Sequence, residues 1–106
     1  CRNMLDDVLV IAFGEFGRTP KINKDAGRDH WPFTSSVFLA GGGVLGGIIY
    51  GKTDNESYRV TDKPVAPEDL LATIYDLLGF SVETRISDKV GRAYLITEGK
   101  VLNLSL

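Results

Sequence analysis

The run Val8–Phe13, reading V-L-V-I-A-F, constrains this chain more than any other stretch. Six apolar residues, two of them valine and one isoleucine, are too few for a buried helix and fit a strand. The run does not alternate with polar residues, so it predicts a strand covered on both faces, as at the centre of a parallel sheet. Gly14 and Gly17 bracket its end around Glu15. In open α/β sheets the carboxyl edge of such a strand is where ligands bind.

A second concentration of chemically distinctive residues follows in Gly27-Arg28-Asp29-His30-Trp31-Pro32, which holds the only histidine of the chain. Between the two lies a polar loop from Thr19-Pro20 to Gly27. Ser36–Ala40 reads as a second strand and Gly41-Gly42-Gly43 as the turn that ends it. Ile48–Tyr50 reads as a third strand, Tyr58–Val60 as a short edge strand, and Phe80–Lys89 as loop. Six of the twelve glycines fall between positions 41 and 51, a density that marks tight backbone.

The clearest helix is predicted over Pro67–Leu78. Pro67 suits the first turn, where its missing N–H is no loss. Glu68 and Asp69 complement the positive end of the helix dipole. Leu70, Leu71, Ile74, Tyr75, Leu77 and Leu78 form one wide apolar stripe, and Gly79 supplies the stop. Ala93–Ile96 and Val101–Leu104 read as a closing pair of strands with a hairpin turn at Glu98-Gly99. One strong helix is too few to cover both faces of a parallel sheet, so the pattern predicts part of an α/β layer.

The totals narrow the function classes. With 106 residues the chain fits one domain. A formal net charge of −2, from 12 basic and 14 acidic residues well mixed along the chain, gives no basic footprint for nucleic acid. No apolar run approaches the roughly 20 residues of a membrane span. The single cysteine, Cys1, rules out an internal disulfide. Because the chain begins with Cys and not Met, it is read as a fragment of something longer.

Four side chains are candidates for chemistry. Glu15, at a strand end, is an oxygen donor for a divalent cation, a general base, or a loop carboxylate paired with Arg18. His30 is a metal ligand, an acid/base group, or a loop brace packed by Trp31 and Pro32. Asp29 beside it either orients the imidazole or orients Arg28. Arg18 and Arg28 are anion clamps, since a guanidinium matches phosphate or sulfate bidentately, or salt-bridge partners of Glu15, Asp25 or Asp29. The triple glycine lacks the Gly-Lys-Ser/Thr of a phosphate-binding loop. Ser35 and Ser36 have no G-x-S-x-G elbow around them.

In order along the chain, F-G-E-F-G-R-T-P, G-R-D-H-W-P, L-A-G-G-G-V, G-x-T-D and P-E-D-L-L-A-T-I-Y-D-L-L-G resemble the C-terminal part of an uncharacterised sulfatase-like family, a domain-of-unknown-function group of the alkaline phosphatase superfamily. The resemblance covers nearly the whole chain. It implies an α/β fold, the C-terminal portion of an alkaline-phosphatase-like sheet-and-helix domain. It implies that Glu15-Phe16-Gly17 stands where the superfamily has a metal-binding Asp-His-Gly, and His30 where a later histidine ligand lies. Phe16 replaces one ligand, so a single-metal or degenerate site is implied. By the same resemblance Glu15 and His30 hold a divalent ion (Zn, Ca or Mg), Arg18 and Arg28 steady a sulfate or phosphate ester, and the nucleophile lies upstream of Cys1. The partners implied are a small anionic ester substrate and the N-terminal remainder of the parent chain. Export or a periplasmic location is implied as well. The rival expectation is a non-catalytic relative whose metal site has decayed and which binds a ligand or partner, with Glu15 paired to Arg18 or Arg28. In either case Asp69 and Thr73 of the helix are read as structural.

Overall fold

A computed structural model describes residues 2–104. Cys1, on which the fragment reading rests, lies outside the described residues. Nine elements follow one another: β1 Val10–Phe13, β2 Gly17–Arg18, β3 His30–Trp31, β4 Val37–Ala40, β5 Lys52–Thr53, β6 Val60–Asp62, α1 Pro67–Leu77, β7 Arg85–Ser87 and β8 Ala93–Leu95.

The strands form four separate antiparallel pairs, β1 with β4, β2 with β3, β5 with β6 and β7 with β8. This corrects the expectation of a parallel α/β sheet and, with it, of the C-terminal portion of an alkaline-phosphatase-like sheet-and-helix domain. Parallel pairing needs a crossover connection, usually helical. Between β1 and β4 the chain instead makes the β2–β3 hairpin, and the returning strand meets β1 head to tail. Nor is β1 covered on both faces: Phe13 is 65% exposed.

Smaller differences share a cause. Ile48–Tyr50 is not a strand. The polar Lys52–Thr53 pairs instead with Val60–Asp62, two residues later than the expected edge strand, because the Asp54 turn sets the register. Asp54 accepts hydrogen bonds from the backbone N–H of Tyr58 (2.8 Å) and of Arg59 (3.0 Å), and so holds the loop closed. β7 lies in a stretch read as loop. Its partner is β8, so Val101–Leu104 is left without a strand and Glu98-Gly99 is no hairpin turn.

Helix α1 follows its sequence signals closely. Ala66 at the N-cap has no side-chain acceptor, and only the reciprocal half of a capping box forms: Ala66 N–H donates to the Asp69 carboxylate at 3.1 Å. At the other end Leu78 is the C-cap and Gly79 takes φ 86°. Gly79 N–H donates to Asp76 C=O (2.9 Å) and Phe80 N–H to Tyr75 C=O (2.8 Å), the two bonds of a Schellman cap, with the Tyr75 and Phe80 rings in edge contact.

The segment 97–104 is strapped along the helix by hydrogen bonds. Lys100 N–H donates to the Asp69 carboxylate (2.8 Å) and Leu102 N–H to the Thr73 hydroxyl (2.9 Å), which itself donates to the Asp69 carbonyl (2.7 Å). Gly99 passes so close to the Glu68 carbonyl that a Cβ there would collide with it. The deeply buried residues cluster here: Ala72, Thr73, Thr97 and Leu104.

A pocket between two arginines

The β2–β3 hairpin positions the candidate residues. Its register sets Gly17 opposite Trp31 and Arg18 opposite His30, so Arg18 and His30 project from the same face. The hairpin lies against the following chain at Gly17, where a Cβ would strike the Thr34 carbonyl. Trp31 anchors its other side. The indole N–H donates to the Tyr58 carbonyl at 2.9 Å, and the ring meets Phe33 and Tyr58 edge-on. The Arg59 guanidinium lies 3.5 Å from the Phe33 ring centroid. These contacts fix the β2–β3 hairpin to the β5–β6 hairpin.

Between the two hairpins is an open pocket of about 550 Å³. Arg18 and Arg28 line it together with Thr34, Ser35, Ser36, Thr53 and Ser57, and no carboxylate does. Arg28 is held in place by its own loop: its guanidinium donates to the carbonyls of Thr19 (2.8 Å) and Pro20. Arg18 makes a long contact, 3.4 Å, to the Arg28 carbonyl. Thr34 donates to the Ser57 carbonyl at 3.2 Å. Two arginines and five hydroxyl-bearing residues line a pocket that no acid lines, a composition whose positive potential suits a tetrahedral oxyanion.

Glu15 and His30 are not among the residues that line this pocket. The salt-bridge readings fail as well: among the described residues the one ion pair is Arg92–Asp88, at 2.7 Å. Among the described residues the Asp29 carboxylate makes no hydrogen bond to His30 or Arg28; it accepts one from the Asn23 amide at 3.1 Å. The imidazole of His30 stacks on Phe16, ring centroids 3.9 Å apart, and Arg18 lies 5.4 Å from the centroid of the same phenyl ring.

A family profile for proteins of unknown function, DUF1501, matches residues 1–105. This chain belongs to the DUF1501 family. Comparison with curated proteins and with solved structures gave no match.

For a metal ion, the fit of this DUF1501 chain is poor. Zinc takes four ligands, and calcium or magnesium six or more. Among the described residues no group of three or more His, Cys, Asp or Glu side chains converges. In particular, among the described residues no third such side chain joins Glu15 and His30 in a metal-binding group.

The five hydroxyls of the DUF1501 pocket were not singled out as pocket residues from the sequence. In the sequence Ser35 and Ser36 read only as possible nucleophiles, and Thr53 and Ser57 lie on a separate hairpin. The one local signal is the run Thr34-Ser35-Ser36 directly after the Trp31 anchor.

Proposed function

We propose that this chain grips the anionic group of a sulfate or phosphate ester and forms the substrate-binding part of an ester hydrolase. The observation that carries the reading is that Arg18 and Arg28 both line one pocket with five hydroxyl-bearing residues and no carboxylate. A sulfate or phosphate group placed there receives charge-assisted hydrogen bonds from both guanidiniums. Ester cleavage builds negative charge on the same oxygens, so preorganised donors lower the barrier as well as holding the substrate. Arg28, already braced by the loop carbonyls, is the fixed arm. Arg18, held by one long hydrogen bond and by the Phe16 ring face, is the arm that turns toward the anion. No nucleophile is assigned among residues 2–104. In this reading the reacting group, and any donors that would join Glu15 and His30 around a cation, come from polypeptide outside this chain.

The experiment is hydrolysis of aryl sulfate and aryl phosphate esters by this chain together with the polypeptide that supplies the reacting group, purified as one protein or complex, with inorganic sulfate and phosphate as competing anions; residues 1–106 alone are expected to bind the anion without turnover. The reading expects turnover of one ester class, competitive inhibition by the matching anion, and a rise in KM in Arg18→Ala and Arg28→Ala of roughly tenfold each, about 1.4 kcal/mol. Turnover of neither ester, or turnover untouched by the double variant, contradicts it.

One observation favours a non-catalytic reading in which the domain only binds its anion. Phe16 occupies one face of the imidazole, and by the resemblance it stands where a metal-ligating histidine would be. In that case the competing anions bind and the arginine variants weaken the binding, while no ester is turned over.

A further inference from the structure

The pocket that Arg18 and Arg28 line is larger than an oxyanion needs. A sulfate or phosphate group is the size of roughly three water molecules of about 30 Å³ each, whereas the pocket measures about 550 Å³. Most of that space is left for the alcohol part of an ester. The lining is also divided by element. Arg18 and Arg28 belong to the β2–β3 hairpin and its loop, while Thr53 and Ser57 belong to the β5–β6 hairpin. Thr34 ties the two together by donating to the Ser57 carbonyl at 3.2 Å.

Small-molecule pockets are ordinarily lined by hydrophobic and aromatic side chains, with a few polar groups that orient the ligand. Here the proportion is reversed. Among the described residues Pro20 supplies the one apolar side chain of the lining, and no aromatic ring takes part. An aryl ring, a nucleobase or an acyl chain placed here gains little from burial, because it meets almost no apolar surface. A hydroxyl-rich group is better matched. Every hydroxyl can both donate and accept, and Ser35, Ser36, Thr53 and Ser57 are all exposed to solvent, so each can exchange water for ligand.

We infer that the ester bound here is that of a polyhydroxylated alcohol the size of a sugar ring, with its anionic group on Arg18 and Arg28 and its hydroxyls against Thr53 and Ser57. The inference rests on the anion-binding reading and adds the alcohol to it. An aryl ester is then held by its anionic group alone. Two matched hydrogen bonds of ordinary net strength separate a sugar ester from an aryl ester by about tenfold in affinity.

The test is titration calorimetry of the protein or complex used for hydrolysis, with sulfonates and phosphonates, which have no ester oxygen and so no ester bond to cleave. The matched pairs are 6-deoxy-6-sulfoglucose against benzylsulfonate, and the 6-phosphonate of 6-deoxyglucose against benzylphosphonate, with inorganic sulfate and phosphate alongside. In at least one pair the sugar analogue is expected to bind about tenfold more tightly than the benzyl analogue. Thr53→Val keeps the shape of a strand residue, and Ser57→Gly suits a position at φ 62°. Each single variant is expected to lower the sugar-to-benzyl ratio about threefold, and the double variant to bring it near one. Arg28→Ala should weaken both members of a pair alike and leave their ratio unchanged. Inorganic anions that bind with a sugar-to-benzyl ratio near or below one in both pairs overturn this inference alone, as does a ratio that neither single variant moves. Failure of the wild-type protein to bind any of the anions overturns the anion reading, and this inference with it.

Discussion

Phe16 stacks on His30 with ring centroids 3.9 Å apart and planes inclined by 32°. Because His30 is the only histidine, its ring protons give one distinct set of resonances. Phe16→Ala removes the ring current over the imidazole and is expected to move those resonances downfield. Unchanged His30 shifts in the variant would show that the two rings do not meet in solution.

Gly17 sits where the hairpin touches the Thr34 carbonyl. Gly17→Ala forces β2 away from that carbonyl, and the pocket wall formed by Arg18 moves with it. Crowding of this kind costs roughly 1–3 kcal/mol. The expected result is weaker anion binding together with lower stability, measured by calorimetry and urea unfolding. Wild-type values for both would mean that the close approach is absent.

The buried Thr73 hydroxyl donates to Asp69 C=O and accepts from Leu102 N–H. Thr73→Val keeps the shape but orphans the Leu102 N–H, at a cost of roughly 1–3 kcal/mol. Amide exchange at Leu102 is expected to speed up about tenfold or more, with the α1 amides less affected. Equal acceleration throughout α1 would mean that the strap and helix open as one unit.

The Asp69 carboxyl is held below its ordinary value of 3.8, first by the Lys100 N–H and then by the Ala66 N–H. A lowered folded pKa means that folding favours the ionised form. The stabilisation is therefore fully present above the ordinary value and is lost as the pH falls through the lowered one. Release of the strap, followed by proteolysis near Gly99, is expected to set in on acidification below the ordinary carboxylate range. In Asp69→Asn the strap should be looser at neutral pH, with that acid step removed. An acid step retained in Asp69→Asn would assign it to another carboxylate, Asp88 first, whose carboxyl is lowered chiefly by the Arg92 N–H.

Helix α1 was legible because its stripe, its first-turn acids and its terminal glycine are local signals that agree, and the structure moves its end by one residue, to Leu77. β1 and β4 were legible as strands but not as partners. Pairing direction depends on what the intervening chain does, and β2 and β3 are two residues each, too short to carry a period. The apolar composition of β1 was read as burial within this chain. The run is apolar as read, but its strand lies in a two-stranded ribbon with Phe13 and Phe38 exposed. Arg18 and Arg28 were legible as anion clamps from residue type alone. Their shared pocket was not, because it is closed by Thr53 and Ser57, which the Trp31–Tyr58 contact brings in from a distant hairpin. Val101–Leu104 was misread because its apolar residues serve a tertiary contact: hydrogen bonds to Asp69 and Thr73 hold it beside α1 in place of a strand partner.

The central claim is that Arg18 and Arg28 act together on an oxyanion, and titration calorimetry of the purified protein with inorganic phosphate and with sulfate tests it most directly. The account predicts saturable binding of at least one of the two anions, weakened roughly tenfold by Arg18→Ala and by Arg28→Ala, about 1.4 kcal/mol each. Arg28→Lys should recover part of the loss, since it keeps the charge but not the fork. Binding of neither anion, or binding that the Arg18→Ala/Arg28→Ala double variant leaves intact, would contradict it.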